Sequence, residues 1–109
     1  MKKRNAPATV SHDERVIARL KRDPEFAVEY LRAAIEEATD EDGRHVLLAA
    51  IRQVVAAQGI AKVARAAGLQ RESLSRALSS QGNPRLDTLY AVLRALGLQL
   101  TVARAPLTA

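Results

Sequence analysis

The stretch AKVARAAGLQRESLSRAL, Ala61 to Leu78, sets one glycine between two segments of helical periodicity. Ile60 to Ala67 carries Val63, Ala64 and Ala67 on a narrow face of small residues. Leu74, Ala77 and Leu78 recur on one side of a second segment that restarts near Arg71. Gly68 falls where a helix ends in a left-handed turn that any side chain would strain, and Leu69 is placed to anchor that turn. Because the alanines before the glycine let two helices cross closely at a steep angle, the pattern predicts a helix-turn-helix.

The other side of the second helix carries the chemistry. At roughly 100° per residue from Leu74, the residues Glu72, Ser75, Arg76 and Ser79 project away from the apolar face, and Arg71 lies at the exposed start. An arginine can grip guanine with two hydrogen bonds, a carboxylate can accept from cytosine, and serine is a short, tolerant partner. The free N–H groups of the helix start suit a phosphate. Against this stands a plainer reading in which Glu72 and Arg76 form an i, i+4 surface pair worth about 0.2–0.5 kcal/mol. Lys62, with Arg65 as the weaker candidate, lies on the first helix, where a crossing helix meets the sugar–phosphate backbone. Asn83 and Arg85, in the loop after the second helix, are within reach of phosphate, although capping of the next helix would also account for Asn83.

Charge is distributed to match. Residues 1–58 hold ten Lys/Arg and ten Asp/Glu, whereas residues 59–109 hold seven against two, so the whole net charge of +5 sits in the half that contains Gly68. Such an asymmetry suits a polyanion, and a merely soluble basic surface is the competing explanation. The 109 residues suffice for one core and one domain. With no cysteine there is neither a disulfide framework nor a thiolate site, and a reducing cytoplasm is the expected compartment. His12 and His45 stand far apart with no carboxylate at ligand spacing, so no metal or other cofactor is expected. Lys2, Lys3 and Arg4 are not followed by an apolar run, which disfavours a secretory signal, and no segment approaches the roughly 20 apolar residues of a membrane span.

Along the chain, residues 1–10 read as a flexible basic tail, 11–104 as a single helical domain and 105–109 as a second tail. Leading helices occupy 11–42, the helix-turn-helix core 44–97 and a terminal strand 98–104. Ser11 is a candidate cap for a first amphipathic helix, with Asp13 and Glu14 in its first turn. Asp23 followed by Pro24 starts a second, expected to run to about Ala38. Glu36 to Asp42 packs five acids into seven residues before Gly43, which reads as a loop and as a possible contact for a basic partner. A core helix from Arg44 to Gln58 and another from Leu86 to Leu96 complete the helical set.

Leu98 to Arg104 then switches to period two, with Leu98, Leu100 and Val102 on one face. A lone strand leaves its backbone groups unpaired, so it is expected to pair with another chain, first of all with its own copy across a twofold axis.

Taken together, the leading DPEFAVEYLRAAIEEA and the run GIAKVARAAGLQRESLSRALSSQGNPRLDTLYAVLRALGLQLTV resemble the HigA-like addiction-module antidote proteins of the Xre, lambda-repressor-like helix-turn-helix class. The likeness spans His12 to Arg104. It implies an all-α fold of five to six helices with one short C-terminal strand pairing across a dimer. It also implies a protein that silences a toxin of the RelE/ParE superfamily and represses its own operon on double-stranded operator DNA. At matching positions Lys62, Gln70, Arg71, Glu72, Ser73, Ser75 and Arg76 would form the DNA surface. Gln70 and Ala61 stand where such proteins often place a polar helix cap. The toxin-docking surface is not defined by the likeness; Phe26, Tyr30, Glu36 and Glu37 of the leading helices are candidates.

Three other functions are set against this one. Catalysis lacks its clustered acid, base and nucleophile. RNA binding lacks a stacking platform, since the aromatics are only Phe26, Tyr30 and Tyr90. A stand-alone prophage-type regulator without a toxin would look identical from Ile60 to Leu96, and only the role of the leading helices separates it.

Overall fold

The computed structural model describes residues 11–105. Six helices follow one another: α1 (His12–Arg22), α2 (Pro24–Glu37), α3 (Glu41–Gln58), α4 (Ile60–Ala67), α5 (Arg71–Ala77) and α6 (Leu86–Ala95). The expected basic tail, residues 1–10, lies outside the described residues, as do positions 106–109.

Local chemistry starts the first three helices. The Ser11 hydroxyl accepts from the Glu14 N–H at 3.0 Å while the Glu14 carboxylate accepts from the Ser11 N–H at 3.1 Å, a reciprocal capping box. Asp23 accepts from the Phe26 N–H at 3.1 Å ahead of Pro24 in the first turn of α2. Asp40 accepts from the Gly43 N–H at 2.8 Å, so α3 begins at Glu41.

That start corrects the reading of Gly43 as a loop residue and of Arg44 as the helix start. Gly43 is buried inside the first turn of α3, and a Cβ there would lie 2.5 Å from the Glu37 carbonyl oxygen and 2.6 Å from the Ala38 Cα. Glycine serves here for close approach of α2 and α3. The acids around it are used as well: Asp40 caps, and Glu41 and Asp42 sit at the electropositive end of α3.

α3 is the centre of the molecule. α1 and α2 both pack on it and on each other, α4 follows it, and α5 and α6 pack on α4. Gly59, at φ 99°, ends α3 and lets α4 leave at 102° to it. One continuous core joins the two groups: Leu20, Leu31 and Ala34 of the leading helices reach Leu48, Ile51, Val54 and Val55, and Val63, Ala64, Leu74, Leu78, Val92 and Leu96 complete it. No polar or charged residue is buried among those described. No single helix among them is long and apolar enough to cross a membrane.

The strand expected over 98–104 is not formed within the single chain. The Leu98 N–H donates to the Leu93 carbonyl at 2.8 Å, closing α6 with Gly97 at φ 79°, and the half-buried Leu98 packs against the core. Beyond it the backbone finds no second strand among the described residues, and a strand exists only as a paired one. Leu100 and Val102 stay exposed, Val102 at 95%.

Candidate nucleic-acid interface

The turn between α4 and α5 takes the form that its glycine requires. Gly68 has φ 71° and ψ 30°, and its N–H donates to the Arg65 carbonyl at 3.2 Å while the Leu69 N–H donates to that of Ala64 at 2.9 Å. An added Cβ would meet nothing within 4 Å, so the demand at Gly68 is conformational and not one of space. Leu69 packs half-buried against the core and fixes where α5 begins.

Neither helix of the pair has a side-chain cap. Gly59 precedes α4 and Gln70 precedes α5, and no side chain bonds the first turn of either. The seven-residue α5 is too short to hold itself, so its orientation comes from packing. Leu74 is 0% exposed and Leu78 2%, both sunk in the core.

Their burial turns the opposite side outward. Arg71, Glu72, Ser75 and Arg76 are exposed, and with Ile60 and Ser79 they line one shallow depression along α5. Lys62 and Gln70 are exposed beside it in sequence, as is Arg65. Ser73 departs from the expected surface in being half-buried. Ser79 is also half-buried, and its hydroxyl donates to the Arg76 carbonyl at 2.9 Å, which helps to end the helix.

The plainer explanation of Glu72 and Arg76 loses its footing. The ion pairs among the described residues are Arg32–Glu29 at 2.6 Å and Arg85–Asp87 at 3.8 Å. Arg71, Glu72, Arg76 and Lys62 belong to neither.

The loop after α5 is held against it. A Cβ at Gly82 would lie 2.1 Å from the Ala77 carbonyl oxygen, so this glycine allows the chain to fold back on the end of the helix. Asn83 and Arg85, which follow Gly82, are both exposed. The residue preceding α6 is Arg85, without a side-chain cap, so capping does not account for Asn83.

In the leading helices, Phe26 and Tyr30 are half-buried with ring centroids 5.6 Å apart, and the Arg19 guanidinium stacks 3.9 Å over Phe26. The Tyr30 hydroxyl donates to the Gln53 side-chain oxygen, and the Gln53 amide donates to Asp13 at 2.6 Å, tying α1, α2 and α3. Burial, and then the Asp13 charge, raise the Tyr30 pKa against the opposing Gln53 bond, so the phenol keeps the proton that this link needs. Both aromatics thus pack in part within the leading helices, whereas Glu36 and Glu37 at the end of α2 are exposed.

One residue of the site left no mark in the periodicity. Arg52 of α3, half-buried, donates from its guanidinium to the carbonyl of Leu78 at the end of α5. The available signal was a charged residue between the apolar positions Ile51 and Val54.

Six helices on a single apolar core, with an outward row of polar and cationic side chains along α5 that form no ion pair among the described residues, make the described part a small all-helical domain. The family model described as probable addiction module antidote protein matches residues 13–104, and the chain belongs to that family. Over 74 residues it is 36% identical to an uncharacterized protein of Haemophilus influenzae, an alignment covering 68% of this chain and 76% of the relative. No solved structure matches it significantly. Membership of an antidote family implies an antitoxin role, with a toxin as cognate partner.

Proposed function

We propose that the protein is a cytoplasmic antitoxin of HigA type that neutralises a toxin of the RelE/ParE superfamily and represses its own operon through an Xre-type helix-turn-helix. The observation that carries the DNA-binding part is the face of α5: Leu74 and Leu78 are buried behind a left-handed Gly68 turn, and Arg71, Glu72, Ser75 and Arg76 are thereby turned outward without ionic partners. In this reading α5 enters a major groove, where Arg76 and Glu72 address base edges. Lys62, Gln70, Asn83 and Arg85 meet the backbone, and Ser73 and Ser79 contribute at its margin.

Two such helices on a palindromic site, with half-sites about 10 bp apart, require a dimer. The exposed Leu100 and Val102, following the anchored Leu98, supply an edge for pairing across the twofold axis. A chain ending at Gly97 is expected to run as a monomer in light scattering where the full chain runs as a dimer. An unaltered dimer mass would contradict strand pairing.

The deciding experiment for the whole reading is growth of cells expressing the short reading frame beside this gene, with and without this protein. Arrest by that frame and recovery with this chain are expected. A harmless neighbour, or arrest in both cases, leaves a stand-alone DNA-binding regulator.

A further inference from the structure

α5 presents the base-reading side chains, yet it packs chiefly on α4, and α4 is itself only eight residues long. Two buried leucines hold its inner face and so decide which side turns outward, but non-directional apolar contacts set the fine placement of a helix end less sharply than a hydrogen bond does. Contacts to base edges demand placement to within about 0.5 Å, whereas phosphate contacts tolerate more. Something should therefore pin the far end of α5 to the longest helix of the fold.

We infer that Arg52 is the positioning residue of the recognition helix, acting through the Leu78 carbonyl and touching no DNA itself. This inference rests on the DNA-binding reading given above. Leu78 closes α5, where the last carbonyls have no helical partner and the helix dipole is negative. The Arg52 guanidinium donates to that carbonyl from the middle of α3, the eighteen-residue helix at the centre of the core. Among the described residues this is the side-chain hydrogen bond that joins α5 to an earlier helix.

The anchor on the α3 side is equally well placed. Gln53, the next residue, holds Asp13 of α1 and Tyr30 of α2, so the backbone carrying Arg52 is braced by both leading helices. A hydrogen bond from a charged donor to a carbonyl in a half-buried setting is directional as well as strong. It sets both the rotation and the axial position of the last turn of α5, on which Arg76 stands.

The test compares Arg52→Met and Arg52→Lys with the unmodified protein on two duplexes, one carrying the DNA directly upstream of its own reading frame and one a scramble of the same length. For Arg52→Met, the affinity ratio between the two duplexes is expected to fall about tenfold. Affinity for the scramble and the salt dependence should stay as they were, since no phosphate contact is lost. Arg52→Lys, which keeps a donor, should recover most of the ratio. In the free protein, hydrogen exchange of the α5 amides should accelerate in Arg52→Met while that of α3 does not. An unchanged ratio, a salt slope lower by about two (one phosphate per subunit of the dimer), or unchanged exchange in α5 each overturns the inference; the slope result would make Arg52 a phosphate ligand. If the unmodified protein does not distinguish the duplexes, the DNA-binding reading fails instead, and hydrogen exchange still decides whether Arg52 holds α5.

Discussion

Replacing Arg76 by alanine is expected to abolish the preference for operator over random DNA while leaving weak general binding in place. Arg76 is exposed on α5, has no ionic partner among the described residues, and lends its backbone carbonyl to the end of the helix, where Ser79 donates to it. The substitution therefore leaves the local structure intact, and alanine favours the helix. A bidentate arginine–guanine contact is worth about 1–3 kcal/mol of discrimination, and a dimer loses two of them. Operator affinity should thus drop by roughly two orders of magnitude or more, whereas affinity for a random duplex, carried by Lys62, Arg65, Arg71 and Arg85, should change little. Parallel titrations on both duplexes at one salt concentration measure this. Unchanged sequence discrimination would remove Arg76 from the base-reading set and leave the helix-turn-helix reading without its central residue.

The parts of this molecule that were legible in its sequence are those with local causes. Ser11 with Glu14, Asp23 with Pro24, and Gly68 each act on residues within one helical turn, so their effect is visible in the order of residues alone. The outward face of α5 follows from the burial of Leu74 and Leu78 at helical spacing. What was not legible has distant causes. Gly43 reads as a breaker, because nothing local says that α2 will lie 2.5 Å from its missing Cβ. Gly82 does lie in the loop where it was read, and only the close approach of the Ala77 backbone to it was hidden from the sequence.

The strand expected over 98–104 depends on something more distant still, a second chain. Its period-two pattern marks a segment able to pair, and the described residues of the single chain hold no second strand for it. Ser79 was placed outward by a uniform wheel and Ser73 by the resemblance alone, yet both are half-buried, Ser73 within the short α5 and Ser79 just past its end, where an ideal wheel no longer applies. Arg52 escaped because its bond joins residues 26 apart in sequence, and its meaning depends on where α5 ends.

Leu74→Ala is the substitution expected to cost most in stability. Leu74 is 0% exposed and lies in the core cluster that also holds Val63, Leu78 and Val92. Truncation removes the transfer free energy of the lost carbons and leaves a cavity that close packing cannot fill, together about 3 kcal/mol. For a domain of this size, with a total stability of roughly 5–15 kcal/mol, that is a large fraction. The midpoint should fall by roughly 12–24 °C in thermal melts, with the denaturant slope unchanged if the same surface is exposed on unfolding. The position matters as much as the volume. α5 is seven residues long, uncapped at its start and unable to persist without its packing, so this one leucine decides whether the helix exists. DNA binding should consequently be lost in Leu74→Ala at temperatures where α3 is still folded, which circular dichroism and a DNA titration on the same sample would separate. A loss of less than about 1 kcal/mol, with DNA binding retained, would mean that α5 is held mainly from its ends, by Leu69 and by Arg52, and not by its buried centre.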